Sequence, residues 1–372
     1  MKYYLIAGER SGDLHGSNLM KEIKKLDSEA QFRGFGGDYM VEAGLDLVIH
    51  YQDMAFMGLI ALFVNLRTLL GRLKQCKNDI LDYQPDVVIL IDYGAFNKRI
   101  AKFCKANTVR NYYYISPKVW AWYQSRAKEL KSNVDRMFCI LPFEKEFFKK
   151  FDWEVDYVGN PVLDAVKAFV PNPKFLAQNG LEGKNQLVAL LPGSRKSELL
   201  KIIPLMKEVI EANPDFNFVV AAVKSMPFVL YQPISRYSNV KLVFDSTYDL
   251  LSHAHAAVVT SGTATLETGL FKVPQVVVYK ANRVEFFLAD LMIKVEFVSL
   301  VNLIVKKEAI RELIQKEATA ENVIVELRRL MLDQFYRDRL LKDYDHLLDI
   351  LDTGSASKNA ASLMFNYLKK ES

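Results

Sequence analysis

Four short stretches combine small residues with a charged or hydroxyl side chain, and each directly follows an apolar run. Ala7-Gly8-Glu9-Arg10-Ser11-Gly12-Asp13 follows Tyr3–Ala7. Glycines there permit a tight turn, and a helix starting near Leu14 would aim free N–H groups and a positive dipole end at an anion. The same residues also suit an ordinary βα turn capped by Asp13 or Ser11. The spacing is not GxGxxG, so no dinucleotide fingerprint is present. The second stretch, Asp86–Asn97 (DVVILIDYGAFN), is an apolar strand with Asp92 at its carboxyl tip. A carboxylate there can take the proton of an attacking sugar hydroxyl as general base. The alternative is a cap for the helix beginning near Asn97, from which Asp92 lies several residues upstream.

The third stretch, Leu191-Pro192-Gly193-Ser194-Arg195-Lys196-Ser197-Glu198, follows a strand and opens a helix. Gly193 and Ser194 let backbone N–H groups approach phosphate oxygens, and the Arg195 guanidinium can fork onto a pyrophosphate. It lacks the GxxxxGK[ST] spacing of a P-loop, and a surface loop with a solvated arginine is the alternative. The fourth, Thr260-Ser261-Gly262-Thr263-Ala264-Thr265-Leu266-Glu267, offers N–H and hydroxyl donors from Ser261, Gly262 and Thr263, with Glu267 one turn on to take ribose hydroxyls. Two phosphate-compatible turns make this half the nucleotide-donor domain.

Met54–Leu66 is uncharged and apolar all round, followed by Arg67, Arg72, Lys74 and Lys77. It is too short to span a bilayer, which takes about 20 residues. A buried helix and an interfacial segment flanked by cations are both compatible with it. The five histidines do not cluster, and His253 and His255 suit packing better than metal binding. No Asp-x-Asp triplet and no CxxC spacing occur, so neither a metal nor any other cofactor is demanded. Cys76, Cys104 and Cys139 are scattered, which points to a reducing compartment. A net charge of +5 over 372 residues suits anionic substrates or an anionic membrane surface, and is too weak to argue for nucleic acid.

These turns need elements to hold them. Short β-rich runs at 3–7, 31–35, 87–91, 111–115, 137–141 and 154–158 alternate with helical patterns, and the alternation restarts at 187–191, 216–221, 240–244, 256–259 and 275–278. From about Arg283 the period is helical. The reading is α/β, with two open, mostly parallel sheets. It divides the chain into a first domain over 1–168, a Pro/Gly/Asn-rich linker over 169–186, a second domain over 187–350 and a C-terminal helix over 351–372. Ligands of such sheets bind beyond the carboxyl ends of the strands, where the four stretches fall.

AGERSGDLHG, MG at 57–58, IDYGAFN, ISPKVWAW at 115–122, LPFEKEFF at 141–148, VGNP at 158–161, LPGSR, SGTATLE and FVSLVNLI at 297–304 occur in that order. The series closely resembles the lipid-A-disaccharide synthases over nearly the whole chain. The resemblance implies a glycosyltransferase B-type fold, two Rossmann-like domains facing across a cleft. It implies inverting transfer of 2,3-diacylglucosamine from its UDP derivative to 2,3-diacylglucosamine 1-phosphate (lipid X), forming a β(1→6) link. It also implies a protein peripheral on the cytoplasmic face of the inner membrane, able to dimerise by exchanging C-terminal segments.

Carried over by position, Asp92 matches the base and Arg195 a donor-site arginine. Gly193, Ser194, Ser261, Gly262, Thr263, Glu267 and Asn302 fall on the UDP side. Gly8, Glu9, Ser11, Gly12, Met57, Ser116 and Trp120 fall on the acceptor side, and Met57, Leu59, Ile60, Leu62 and Phe63 would meet lipid. Two departures stand out. The family often has Asp-Ala-Pro-Asp-Phe-Asn where this chain has Asp92–Asn97, so the second carboxylate is replaced by Ala95; and the proline of Ser-Leu-Pro-Asn is Val301. The rivals are a UDP-N-acetylglucosamine epimerase, a peptidoglycan glycosyltransferase, and a non-catalytic nucleotide-sugar-binding module that would not need Asp92.

Overall fold

The computed structural model describes residues 1–54, 66–121, 124–183, 186–280 and 296–371. The chain separates into two compact units, Met1–Pro161 with Thr353–Ser372, and Val162–Asp352. In the first unit, β1 (Lys2–Ala7), β2 (Gln31–Gly36), β3 (Leu45–His50), β4 (Val87–Ile91), β5 (Asn111–Tyr114), β6 (Arg136–Cys139) and β7 (Asp156–Tyr157) form one sheet. Its order is β3-β2-β1-β4-β5-β6-β7, and every pairing is parallel. Such sheets are covered on both faces, so their central strands can be apolar throughout. β4, VVILI, and β5, NYYY, are buried at every position.

The second unit repeats the plan. β8 (Leu187–Leu191), β9 (Asn217–Ala222), β10 (Val240–Phe244), β11 (Ala254–Thr260), β12 (Gln275–Tyr279) and β13 (Glu312–Ile314) make a parallel sheet ordered β10-β9-β8-β11-β12-β13. Phe175 and Leu181, from the 169–186 stretch, are buried in its core with Leu187, Ala189 and Val259.

Two strands escape the sequence pattern, and both are sheet edges. β3 is half-exposed and begins after Gly44, whose φ of +100° turns the chain into it. β13 lies in the region read as helical and is only three residues long. Short edge strands carry too few buried positions to print a periodicity.

The helix Ala356–Glu371 returns to the first unit. Ala360, Ala361, Met364 and Leu368 are buried among Leu5, Leu19, Ile23 and Phe138. Asn359 Nδ2 donates to Val158 O at 3.1 Å, and the Arg136 guanidinium lies 4.1 Å above the Tyr367 ring.

Asp13 does not cap its own helix, Arg10–Leu26, but lies within it. Its carboxylate is 1% exposed and accepts the N–H groups of Gly37 (2.8 Å), Tyr39 (3.1 Å) and Met40 (3.1 Å). It thus caps the short helix Asp38–Glu42 from across the sheet end. Asp13→Ala is expected to destabilise the chain by about 2 kcal/mol in urea unfolding, and Asp13→Asn, which keeps one acceptor oxygen, by less.

Candidate functional site

Each sheet order reverses once, between β1 and β4 in the first unit and between β8 and β11 in the second. In open parallel sheets the crevice at such a reversal is the ligand position. The 8–13 turn follows β1 and Asp92 follows β4; the 192–195 turn follows β8 and the 261–263 turn follows β11. All four chemistry-bearing stretches therefore stand at the two reversals.

In the first unit, Asp92 and Tyr93 take left-handed backbone angles, with φ of +46° and +49°. Such conformations cost on the order of 1–3 kcal/mol each for residues with side chains. The corner is tied down from three sides. Tyr113 Oη donates to Asp92 O at 2.6 Å, Asn97 Nδ2 donates to Asp92 O at 2.9 Å and to Ile91 O at 3.2 Å, and Tyr93 Oη donates to Met54 O at 3.1 Å. The Tyr93 ring lies on Gly8, where a Cβ would come within 2.3 Å of it, so the first and second motifs close on each other. Burial pushes the Asp92 carboxyl above its ordinary value; the Glu9 carboxylate adds to this, and Lys118 opposes it. A half-buried carboxyl raised in this way is a better proton acceptor than a solvated one. Ser11 is exposed and Gly12 is buried against Ala7.

Ser116 and Trp120 are 5% and 6% exposed. Ser116 Oγ donates to the Glu144 carboxylate, which also accepts Leu141 N–H at 2.9 Å and Ile140 N–H at 3.2 Å. Trp120 packs edge-on to Phe143 with ring centroids 5.0 Å apart. The ISPKVWAW and LPFEKEFF motifs are thus one joint, with Glu144 as its pin. Met57, Leu59, Ile60, Leu62 and Phe63 lie outside the described residues, as does most of the Met54–Leu66 stretch.

In the second unit, Gly193 turns at φ +101° and the helix Lys196–Glu211 follows. Glu198, from its first turn, accepts Ser194 N–H at 3.1 Å and Arg195 N–H at 3.2 Å, and pairs with the Arg195 guanidinium at 3.3 Å. Arg195 is otherwise exposed, with 66% of its side chain accessible. The helix Thr263–Leu270 opens at exposed Gly262 and Thr263, with no side chain capping it. Ser261 Oγ donates to Val298 O at 3.1 Å, joining SGTATLE to FVSLVNLI. Glu267 accepts Tyr248 Oη at 2.9 Å, and burial raises its carboxyl above the ordinary value.

Asn302 is fully buried. Its amide donates to Ile310 O and Glu312 Oε1, both at 2.8 Å, and its carbonyl accepts Ala309 N–H at 2.9 Å and Ile310 N–H at 3.0 Å. These bonds fix the loop around Asn302, and a direct side-chain bond to a nucleotide would have to break one of them. Glu312 completes the clasp by accepting Val298 N–H at 2.8 Å and Ser299 N–H at 3.0 Å. Tyr113, Asn97, Glu198 and Glu312 are supports that sequence reading does not single out. Only Glu198 leaves a local signal, an acid three residues after the turn, as in a capping box. His253 stacks on Phe175 at 5.7 Å and His255 lies 3.4 Å from Arg337, so both are packing residues.

Glu144 gives the first unit a pH signature. Burial raises its carboxyl from 4.5 to about 7, opposed by the bonds from Ser116, Leu141 and Ile140. Between those two values the folded chain holds a proton that the unfolded chain has released. Stability therefore declines as pH rises through that window, by up to roughly 3 kcal/mol, with the full loss reached above it. Glu144→Gln, which cannot ionise, is expected to flatten this decline when thermal midpoints are compared at either side of the window.

A family model described as lipid-A-disaccharide synthetase matches residues 3–362. The lipid-A-disaccharide synthase of Syntrophus aciditrophicus (strain SB) is 35% identical over 373 residues, covering 98% of this chain and 97% of its own. Among solved structures, the UDP-GlcNAc 2-epimerase from Neisseria meningitidis bound to UDP-GlcNAc matches with a TM-score of 0.68 at 13% identity, over 100% of both chains. The glycotransferase of kitacinnamycin matches with a TM-score of 0.67 at 15% identity, over 99% of both. At such identities the likeness is one of fold, the glycosyltransferase B-type pair of parallel-sheet domains. The family model and the sequence relative go further and separate this chain from the epimerases: it belongs to the lipid-A-disaccharide synthetase family and is a glycosyltransferase that forms the lipid A disaccharide.

Proposed function

We propose that the chain transfers 2,3-diacylglucosamine from UDP-2,3-diacylglucosamine to the 6-hydroxyl of 2,3-diacylglucosamine 1-phosphate, lipid X, releasing UDP and inverting the anomeric centre. The observation that carries this reading is the placement of all four motif turns at the reversal points of the two sheets. Inversion is a single displacement. The acceptor oxygen bonds to the donor's anomeric carbon, the bond to UDP breaks, and the hydroxyl proton passes to a base. Asp92, raised by burial and presented on a braced corner, is that base. No covalent enzyme intermediate is needed.

The departing diphosphate falls to the second unit. Its negative charge suits the Arg195 guanidinium and the uncapped N–H groups at Gly262 and Thr263. Glu198 already supplies an anion to the 194–195 turn, so UDP must share or displace that carboxylate. Asn302 and Glu312 hold the 297–300 turn against Ser261, and Glu267, which accepts Tyr248 Oη, takes the ribose hydroxyls in this reading. No helix among the described residues is long and apolar enough to cross a membrane. Both substrates carry acyl chains, which supports peripheral, reversible attachment through the Met54–Leu66 stretch on the cytoplasmic face of the inner membrane. A homodimer that exchanged the Ala356–Glu371 helix would place the Ala360, Met364 and Leu368 contacts between copies.

Asp92→Asn should retain fold and UDP binding but lower kcat by about 10²–10⁴-fold, the span for a lost general base; near wild-type turnover in the purified variant would rule the role out. Arg195→Ala should weaken UDP binding by about tenfold in calorimetry and slow transfer, because a charge-assisted contact is lost. Unchanged UDP affinity together with unchanged kcat would refute that assignment.

A further inference from the structure

The first unit holds a second feature beside Asp92. A hollow of about 720 Å³ lies between the helix Gly94–Ala106, the 117–119 turn and the helix Arg126–Asn133. Five cations line it: Lys98, Arg99, Lys102, Lys118 and Arg126. Glu129 is the one carboxylate among the described residues that line it, and Lys98 already engages that group at 2.8 Å. Arg99 folds back to donate to Ala95 O at 3.1 Å. Lys102, Lys118 and Arg126 are exposed at the wall. The hollow thus carries a strong surplus of positive charge.

Its charge sets it apart from the larger hollow of about 980 Å³ at the amino ends of β4, β5 and β6. There Asp86 and Asp135 stand beside the cations, and Lys105 is bonded to Asp135 at 2.9 Å. Charge surplus, not size, marks an anion site. The position of the basic hollow is equally specific. Gly94, two residues beyond Asp92, forms part of its wall, and Lys118 is close enough to favour the ionised form of Asp92. An anion held here would carry whatever it is attached to beside the base. The hollow also lies wholly within the first unit, whereas the turns suited to the donor diphosphate belong to the second.

We propose that this basic hollow is the subsite for the phosphate monoester of the acceptor, with Lys102, Lys118 and Arg126 as its charge partners. The inference rests on the acceptor being a sugar 1-phosphate, as in the function proposed above. Flexible lysines and an arginine around an open hollow suit a dianionic monoester, which presents several acceptor oxygens and needs no single approach direction. The phosphate fixes one end of the sugar, and the hydroxyl to be deprotonated is thereby held toward Asp92. That is a positioning contribution, and it should appear in acceptor affinity more than in the chemical step.

The test uses the full chain and two acceptors, diacylglucosamine with and without its 1-phosphate. In the Lys102→Ala/Arg126→Ala variant the KM for the phosphorylated acceptor should rise about tenfold or more, while the KM for UDP-diacylglucosamine stays fixed. Transfer to the acceptor lacking phosphate should be unchanged. Lys102→Arg, which keeps the charge, should retain wild-type behaviour. An equal loss for both acceptors, or no loss for either, overturns the proposal. Vesicles containing phosphatidylglycerol form a separate arm. If the variant loses vesicle binding but keeps its acceptor KM, the cations serve lipid headgroups and the proposal is overturned. If the wild-type chain forms no disaccharide from either acceptor, the functional reading falls on its own. The hollow is then judged by calorimetry with glucosamine 1-phosphate: binding lost in the variant sustains it, and identical binding overturns it.

Discussion

Asp92 and Tyr93 occupy the left-handed region in succession, immediately after a strand buried at every position, and neither is a glycine. Backbone strain of this kind persists only where surroundings over-determine it. Here the surroundings come from four separate stretches of chain. Tyr113 supplies a hydroxyl from β5, Asn97 an amide from the following helix, Gly8 a flat surface for the Tyr93 ring, and Met54 a carbonyl for its hydroxyl. IDYGAFN therefore reads as a division of labour: an acid presented at the corner, a tyrosine whose ring closes the corner onto Gly8, and an asparagine that locks it. The 8–13 turn serves the same end, since its Gly8 is shaped by the neighbour it must admit.

The second unit solves a similar problem with carboxylates. Glu198 satisfies the N–H groups of the 194–195 turn, and Glu312 those of Val298 and Ser299. Each turn is thereby held in shape by bonds from within its own unit. Glu144 plays this part in the first unit, gripping Ser116 and the 140–141 backbone.

How much of this is legible in the sequence follows from what each feature depends on. Buried parallel strands print as continuous apolar runs, and the turns behind them print as small residues with a charge. Hence β1, β4, β8 and β11 and the motifs at their tips stand out before any coordinates. Edge strands β3 and β13 do not, because β3 has only two buried positions of six and β13 is only three residues long. Nor can a pattern tell a side chain that meets a ligand from one that clasps its own loop. Asn302, Ser116 and Trp120 sit inside motifs that suggest binding, and their hydrogen bonds and burial show in addition what each one holds within its own unit. Fold likeness has the opposite limit: an epimerase and a glycosyltransferase match this chain about equally well, so the architecture alone does not choose the chemistry.

The first unit is assembled from both ends of the chain, with the second inserted between Pro161 and Thr353. During synthesis, the second unit is complete while the first still lacks the Ala356–Glu371 helix. Until that helix emerges, Leu19, Ile23 and Phe138 have no cover from Ala360, Ala361, Met364 and Leu368. A nascent chain halted before this point exposes an apolar face on the very unit that carries Asp92. The second unit can thus close its own core first, while the cover of Leu19, Ile23 and Phe138 in the first unit depends on a helix made after the second is complete.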